Sequence, residues 1–467
     1  MKSYILPKKV FGSDREGILK GLLKRKDLQI GLAEKETYFF TKGDYLILDF
    51  GVEISGGVRI LTYLADKIPV RIRFGESLTE CCAELGGEKN ATNDHSLRDF
   101  TVQLQHYSDM TFGQTGFRFV RLDFGGDLRL KTVVAESYIL KKPAKYKYVG
   151  SDKRIAKIYE CAKRTVDLCA SKGYVWDGVK RDRLVWIGDM HPEMLALTTL
   201  YGRVKEVETS LDFVKNQTPF PGWMNGFPMY SMWWIIIVAD YYQKTQAYDF
   251  AQKQLAYLHS LLSQMLDCVK ENGELAYPSY FVDWPTCGQP DELLGVRAIN
   301  ILAARKAIWL LQEFQQPTAI AEDLLQRLLQ VEIHPLKSKQ VIGLKYFALG
   351  QLTKKDKALL LEGGAKGVST FMSYYILKAI ASFDEAAAIR IMKEYYGAML
   401  DKGATTFWED FNMDWAPGSC RIDKFPKPGE KDIHGDFGDY CYQGFRHSLC
   451  HGWSAGVIQF MQEHCNE

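Results

Sequence analysis

The chain offers no apolar run able to cross a bilayer: the longest extends only from Trp233 to Ala239, against the ~20 residues that a spanning helix needs. Charge of one sign is scarce as well. Lys and Arg number 59 against 57 Asp and Glu, a net charge of +2, so neither a nucleic acid nor a membrane surface is expected as a partner. The ten cysteines form no Cys-x-x-Cys pair and show no zinc-ligand spacing, which disfavours metal ribbons and thioredoxin-like chemistry. A phosphate loop and a dinucleotide glycine fingerprint are both missing, so no nucleotide is implied. No cofactor and no metal is expected. Residues Met1 to Lys9 carry charge but no apolar stretch, so a secretory leader is not expected. Together with the scattered thiols this points to a reducing cytoplasm. Oligomeric state leaves no trace in the sequence.

Tryptophan is absent from the first third of the chain, although ten occur between residues 176 and 453. The two parts also differ in period. Tyr45 to Phe50, Val58 to Leu64, Val70 to Phe74 and Phe117 to Leu122 alternate apolar and polar residues, which predicts an antiparallel β-sandwich over residues 30–145 after an irregular arm, 1–29, with a short helix from Asp14 to Arg25. Lys141 to Lys145 reads as a linker. Beyond it the period becomes helical, with Ser151 as the expected N-cap of the first helix. Further helices are predicted near 190–201, 203–215, 229–244, 248–271, 291–314, 317–331, 338–351, 368–382, 384–400 and 447–464. About eleven helices without a self-similar repeat suit an (α/α)6 barrel, a toroid of six helical hairpins, over residues 146–467 better than a solenoid.

The densest chemistry lies between Trp176 and Asp189, where three carboxylates, two arginines and two tryptophans share one short stretch. A solvated face rarely spends tryptophan, and a core rarely holds unpaired acids. The mixture suits a polar pocket that binds a carbohydrate, with rings against the sugar faces and acids handling protons. Glycoside hydrolysis needs one protonated acid and one ionised carboxylate, and clustered carboxylates raise one another's pKa. His447 and His451, four apart on a predicted helix, form a possible metal face, but no third ligand with suitable spacing accompanies them. Gly452-Trp453-Ser454-Ala455-Gly456 matches a nucleophile elbow in letters only, since no apolar strand precedes it and no acid-histidine pair can follow it.

The spacing Asp177, Arg181, Asp182, Arg183, Trp186, Gly188, Asp189 resembles the signature of bacterial α-L-rhamnosidases, glycoside hydrolase family 78. Gly403 to Glu409 is similar to the family segment that carries the general base, and Ser448 to Trp453 to its C-terminal sugar-binding segment. The resemblance implies Asp182 as general acid, Glu409 as general base, and Asp177, Asp189 and His451 as holders of sugar hydroxyls. Trp186, Trp284 and Trp453 would shape the pocket, with Arg181, Trp223, Asp283 and Trp408 as further substrate contacts. It implies a β-sandwich followed by the (α/α)6 barrel, and an exo-acting, inverting hydrolase of terminal α-L-rhamnose with a carbohydrate as its partner. The chain departs from the pattern in carrying Asp182 where the family has Glu, Cys450 where it has Asn, and Val282 where it has Gly. Another sugar, such as an unsaturated uronide or a deoxy-sugar, and a relative that binds glycans without hydrolysing them are the alternatives.

Overall fold

The computed structural model describes residues 2–11, 19–24 and 27–465. Eight strands make one antiparallel sheet: β1 (Lys2–Ile5), β2 (Lys9–Phe11), β3 (Tyr38–Phe40), β4 (Tyr45–Ala65), β5 (Ile68–Gly75), β6 (Asp99–Leu104), β7 (Asp109–Phe124) and β8 (Leu128–Tyr138). Strand β4 is its spine. It pairs with β7 from Tyr45 to Leu61, and its other edge takes β2 over Ile47–Asp49 and then β8 from Gly56 to Ala65. Register shifts between Asp49 and Ile54 and between Gly56 and Val58 interrupt the β4–β7 ladder, and such irregularities bend a strand. The alternation seen in the sequence has its expected cause. Leu46, Leu48 and Phe50 enter one apolar core with Phe117, Val120 and Leu122, while Ile47 and Phe119 pack with Leu78 and Cys81.

The amino-terminal segment differs from the irregular arm expected. Lys2–Ile5 pairs with β8 and Lys9–Phe11 with β4, so both are edge strands of the sheet. Half of the helix expected from Asp14 to Arg25 falls outside the described residues; within them a single 3-10 turn, Lys20–Leu23, is present.

Thirteen α-helices follow among the described residues. They are α1 (Lys153–Cys169), α2 (Met190–Tyr201), α3 (Lys205–Gln217), α4 (Pro228–Thr245), α5 (Tyr248–Gln252), α6 (Leu255–Asp267), α7 (Glu292–Glu313), α8 (Ala319–Leu328), α9 (Lys339–Leu349), α10 (Lys354–Leu361), α11 (Ser373–Ala381), α12 (Glu385–Asp401) and α13 (Val457–His464). The N-cap of α1 is Asp152, not Ser151: its carboxylate accepts from the backbone N–H groups of Arg154 and Ile155. The single helix expected over 248–271 is broken into α5 and α6. Helix α10 was not expected, although Thr353 and Asp356 give it a reciprocal capping box. The segment 447–464 is helical only from Val457, preceded by a 3-10 turn at Gly452–Gly456. His447 and His451 therefore share no helix face.

Helix α2 packs on α4, α4 on α7, α7 on α9, α9 on α11, α11 on α13, and α13 on α2. Helices α2 and α4 are buried on nearly all sides, whereas α3, α6 and α8 bury one stripe, as expected of inner and outer positions. Among the described residues no helix is long and apolar enough to cross a membrane.

Candidate active site

The site grows from the connection between α1 and α2. Asp177 is tied down at three points: its N–H donates to the Leu184 carbonyl (3.1 Å), its carbonyl accepts from Gly452 N–H (2.7 Å), and its Oδ1 accepts from Leu184 N–H (2.8 Å). Gly178 and His451 form an isolated antiparallel bridge. Two stretches distant in sequence are thereby stitched together, and Glu409 joins them by donating its N–H to the Ser448 carbonyl (3.0 Å) and accepting Ser448 N–H on Oε2 (3.0 Å).

At the centre stands Arg181. One guanidinium nitrogen donates to Asp182 Oδ1 (2.9 Å), another to Glu409 Oε1 (2.5 Å), and Nε to the Arg446 carbonyl (3.0 Å). The guanidinium also lies over the Tyr442 ring, 4.9 Å from its centroid. Burial opposes its charge, but Glu409 and Asp182 outweigh that and raise its pKa. His451 Nε2 lies 3.7 Å from Glu409, 3.8 Å from Asp177 and 3.9 Å from Asp189. Its Nδ1, although buried, has no hydrogen-bond partner among the described residues. Burial, with Arg181 nearby, holds His451 well below the usual imidazole range, so it is neutral.

Three buried carboxylates, Asp177, Asp189 and Glu409, titrate high. Burial, then Asp182 and Asp189, pushes Asp177 well above the usual range. Burial raises Asp189 to about 8 against the opposing hydrogen bond from Tyr230. Burial raises Glu409 too, while Arg181 and Ser448 N–H hold the shift down by stabilising its anion. Near neutrality Asp189 is a hydrogen-bond donor as well as an acceptor. Only Asp182 among these acids is partly open, with 20% of its side chain exposed.

Aromatic rings wall the site. Trp186 meets Tyr230 and Phe227 with centroids at 6.0 and 6.4 Å, His451 lies against Trp453 at 4.2 Å, and Trp453 stacks on Phe371 and donates Nε1–H to the Glu409 carbonyl (2.9 Å). Tyr230 donates to Asp189 Oδ1 (2.9 Å). Gly188 makes room for that tyrosine, because a Cβ there would sit 2.2 Å from its ring. Trp284 stacks near Tyr440 and donates to the Tyr442 hydroxyl.

Asp283, Trp408 and Trp223, the remaining expected contacts, are held by neighbours within the protein. Asp283 spends its carboxylate on Thr286 and on Ser369 Oγ (3.0 Å), capping the 3-10 turn Trp284–Thr286. Trp408 is buried against Phe411 and His447. Trp223 packs on Tyr277, beside the turn whose Asn225 side chain accepts from Ile187 N–H (3.0 Å). Sequence reasoning missed Tyr230, Tyr442, Glu193 and His95. Tyr230 stands beside the tryptophan-rich segment and could have been suspected, whereas no pattern marks the others. Glu193, buried against Gly452, is raised well above the usual range by burial, then by Asp189 and Asp177.

Among the described residues one trio of metal-ligand types meets, Glu76, Glu80 and His434. The cation present there is the fully buried Lys180, whose Nζ lies 3.3 Å from Glu76 and 2.9 Å from Glu80 and donates to the carbonyls of Phe445 (2.5 Å) and His447 (2.7 Å). A separate cavity of about 740 Å³ is lined by Arg154, Arg164, Asp401, Thr405 and Arg421 among others, and contains none of the acids above.

Solved structures share this architecture. A rhamnosidase from Klebsiella oxytoca with rhamnose bound superposes with a TM-score of 0.76 at 18% identity, covering 100% of this chain and 96% of its own. The GH78 family rhamnosidase of Bacillus sp. GL1 gives 0.70 at 18% identity, covering 92% of this chain and 47% of its own. A Streptomyces avermitilis α-L-rhamnosidase complexed with L-rhamnose gives 0.66 at 14% identity, covering 98% and 43%. The chain shares the fold of the α-L-rhamnosidases. It spans nearly the whole of the Klebsiella rhamnosidase and under half of the Bacillus and Streptomyces rhamnosidases. No family model matches the sequence, and no curated protein does.

Proposed function

We propose that the chain is an exo-acting, inverting glycoside hydrolase that releases terminal α-L-rhamnose, with Asp182 as general acid and Glu409 as general base. The observation that carries this reading is the single guanidinium of Arg181 bonded to both carboxylates. Two bonds to one planar fork bring the two carboxylates to one place, as either a retaining or an inverting pair requires; the resemblance of the sequence to the rhamnosidase signature favours the inverting arrangement, with a water between them. The part-exposed Asp182 protonates the glycosidic oxygen as its bond to the anomeric carbon breaks. Glu409, buried and held by Arg181 and Ser448, takes a proton from a water that attacks the opposite face. Asp177, Asp189 and His451 bind hydroxyls of the sugar, with Trp186, Trp453 and Trp284 against its apolar faces. The likeness to rhamnosidases solved with rhamnose bound favours rhamnose as the sugar.

The fold is read in the same terms. The succession of helix contacts that returns from α13 to α2 supports an (α/α)6 barrel, and the bends in β4 support a β-sandwich whose layers are the two ends of one sheet. The division at residues 145 and 146 rests on the change from the eight-stranded sheet, whose last strand ends at Tyr138, to the helices beginning at Lys153.

Turnover of an aryl α-L-rhamnoside tests the assignment. Asp182→Asn and Glu409→Gln are each expected to lower kcat by ~10²–10⁴-fold. Full activity in both variants would reject it.

A further inference from the structure

His95 belongs to the sheet part of the chain, in the connection between β5 and β6, yet its ring reaches Asp182. Its Nδ1 lies 2.7 Å from Asp182 Oδ1 and 2.8 Å from the amide nitrogen of the same residue. In either protonation state the ring is bonded to Asp182, as donor to the carboxyl or as acceptor of the amide. Oδ1 thus meets both Arg181 and His95, and Oδ2 carries no hydrogen bond among the described residues.

The approach is built, and it is strained. His95, Asp182 and Arg183 all have left-handed backbones, with φ of 61°, 48° and 53°, a conformation that non-glycine residues hold only where surroundings impose it. The surroundings are on hand. Arg183 donates to the carbonyls of His95 and Gln114, both at 2.7 Å. The connection carrying His95 is latched to the segment 432–446 through Lys89 with Asp436 (2.8 Å), Asp94 with Arg446 (2.9 Å) and Phe445 N–H with the Lys89 carbonyl (2.7 Å). Because the Arg446 carbonyl takes Arg181 Nε, a circuit from His95 through Asp182, Arg181 and Arg446 to Asp94 closes within one loop.

We propose that His95 is a positioning residue for the acid: it anchors the Asp182 carboxyl through Oδ1 so that Oδ2 faces the leaving oxygen. The inference rests on the assignment of Asp182 as acid. A shift of ~1 Å in such a group costs up to ~10²-fold, and the loss falls on substrates whose leaving group must be protonated.

The test compares a methyl α-L-rhamnoside, which needs the acid, with a dinitrophenyl α-L-rhamnoside, which does not. His95→Gly keeps the left-handed backbone and removes the ring; His95→Asn keeps that backbone and a polar group. His95→Gly is expected to lower kcat on the methyl glycoside by ~10-fold or more while the dinitrophenyl glycoside changes by less than ~2-fold, and His95→Asn to recover much of the loss. Equal losses on both substrates, or none, would overturn the role of His95. Asp182→Asn run alongside separates the two readings: if it shows the leaving-group dependence and His95→Gly does not, the inference alone fails. If Asp182→Asn shows none, the acid assignment fails and takes the inference with it.

Discussion

Asp189, proposed above as a sugar contact, also bears on stability. Its carboxyl titrates at about 8 in the folded chain against an ordinary 3.8, because it is buried. Folding therefore favours the protonated form, and the stabilisation is present below pH ~4 and lost as pH rises towards 8. Asp189→Asn has no such ionisation. The stability of the native chain relative to this variant is expected to fall by on the order of a few kcal/mol between pH 4 and 8, read by thermal unfolding; a flat difference would show that the burial is not felt. At this scale the sequence was most legible where residues cluster. Asp177, Asp182 and Asp189 stand within one stretch with Arg181, and the structure brings Glu409 and His451 to them. His95 was not legible, because nothing in a lone histidine among polar neighbours tells which distant backbone it meets.

At the scale of elements, the periodic segments were readable and the irregular ones were not. Leu46, Leu48 and Phe50 announce β4 through alternation, and Ile155, Ile158 and Ala162 announce α1 through helical spacing. The short edge strands Lys2–Ile5 and Lys9–Phe11 gave no such signal, since an edge strand borrows its stability from its neighbour. The segment 447–464 misled because an unbroken apolar pattern hid the glycines at 452 and 456 that belong to a 3-10 turn. Asp283 is a prediction of this scale. Its carboxylate caps Trp284–Thr286 and binds Ser369, so Asp283→Ala should cost ~1–2 kcal/mol and raise KM by loosening Trp284. Asp283→Asn, which keeps an acceptor for Thr286 N–H, should retain most of the stability in urea unfolding. Equal stability of the alanine variant would contradict the capping role.

Across the whole molecule, the sheet and the helices are bolted together by charge. Lys180 joins Glu76 and Glu80 of the sheet part to the carbonyls of Phe445 and His447, Arg118 reaches the Gly403 carbonyl (3.1 Å), and Glu53 N–H donates to Thr405 Oγ1 (2.9 Å). None of these pairings could be read from a composition of near-zero net charge, because each depends on how the two parts dock. Removing the Lys180 charge leaves the buried Glu76 without its cation and Glu80 with Arg98 alone, so Lys180→Met is expected to destabilise the chain by ~3–5 kcal/mol, measured by calorimetry; a loss under ~1 kcal/mol would mean that the cluster contributes little. That docking also seats the stretch from Lys180 to Arg183 against the segment carrying Glu409, on which the proposed chemistry depends. The most direct measurement is proton NMR of the first sugar released from an aryl α-L-rhamnoside. If, as proposed, Glu409 activates a water that attacks the anomeric carbon directly while Asp182 protonates the leaving oxygen, β-rhamnose must appear first and mutarotate afterwards. Initial release of α-rhamnose, or no release at all, would contradict these roles.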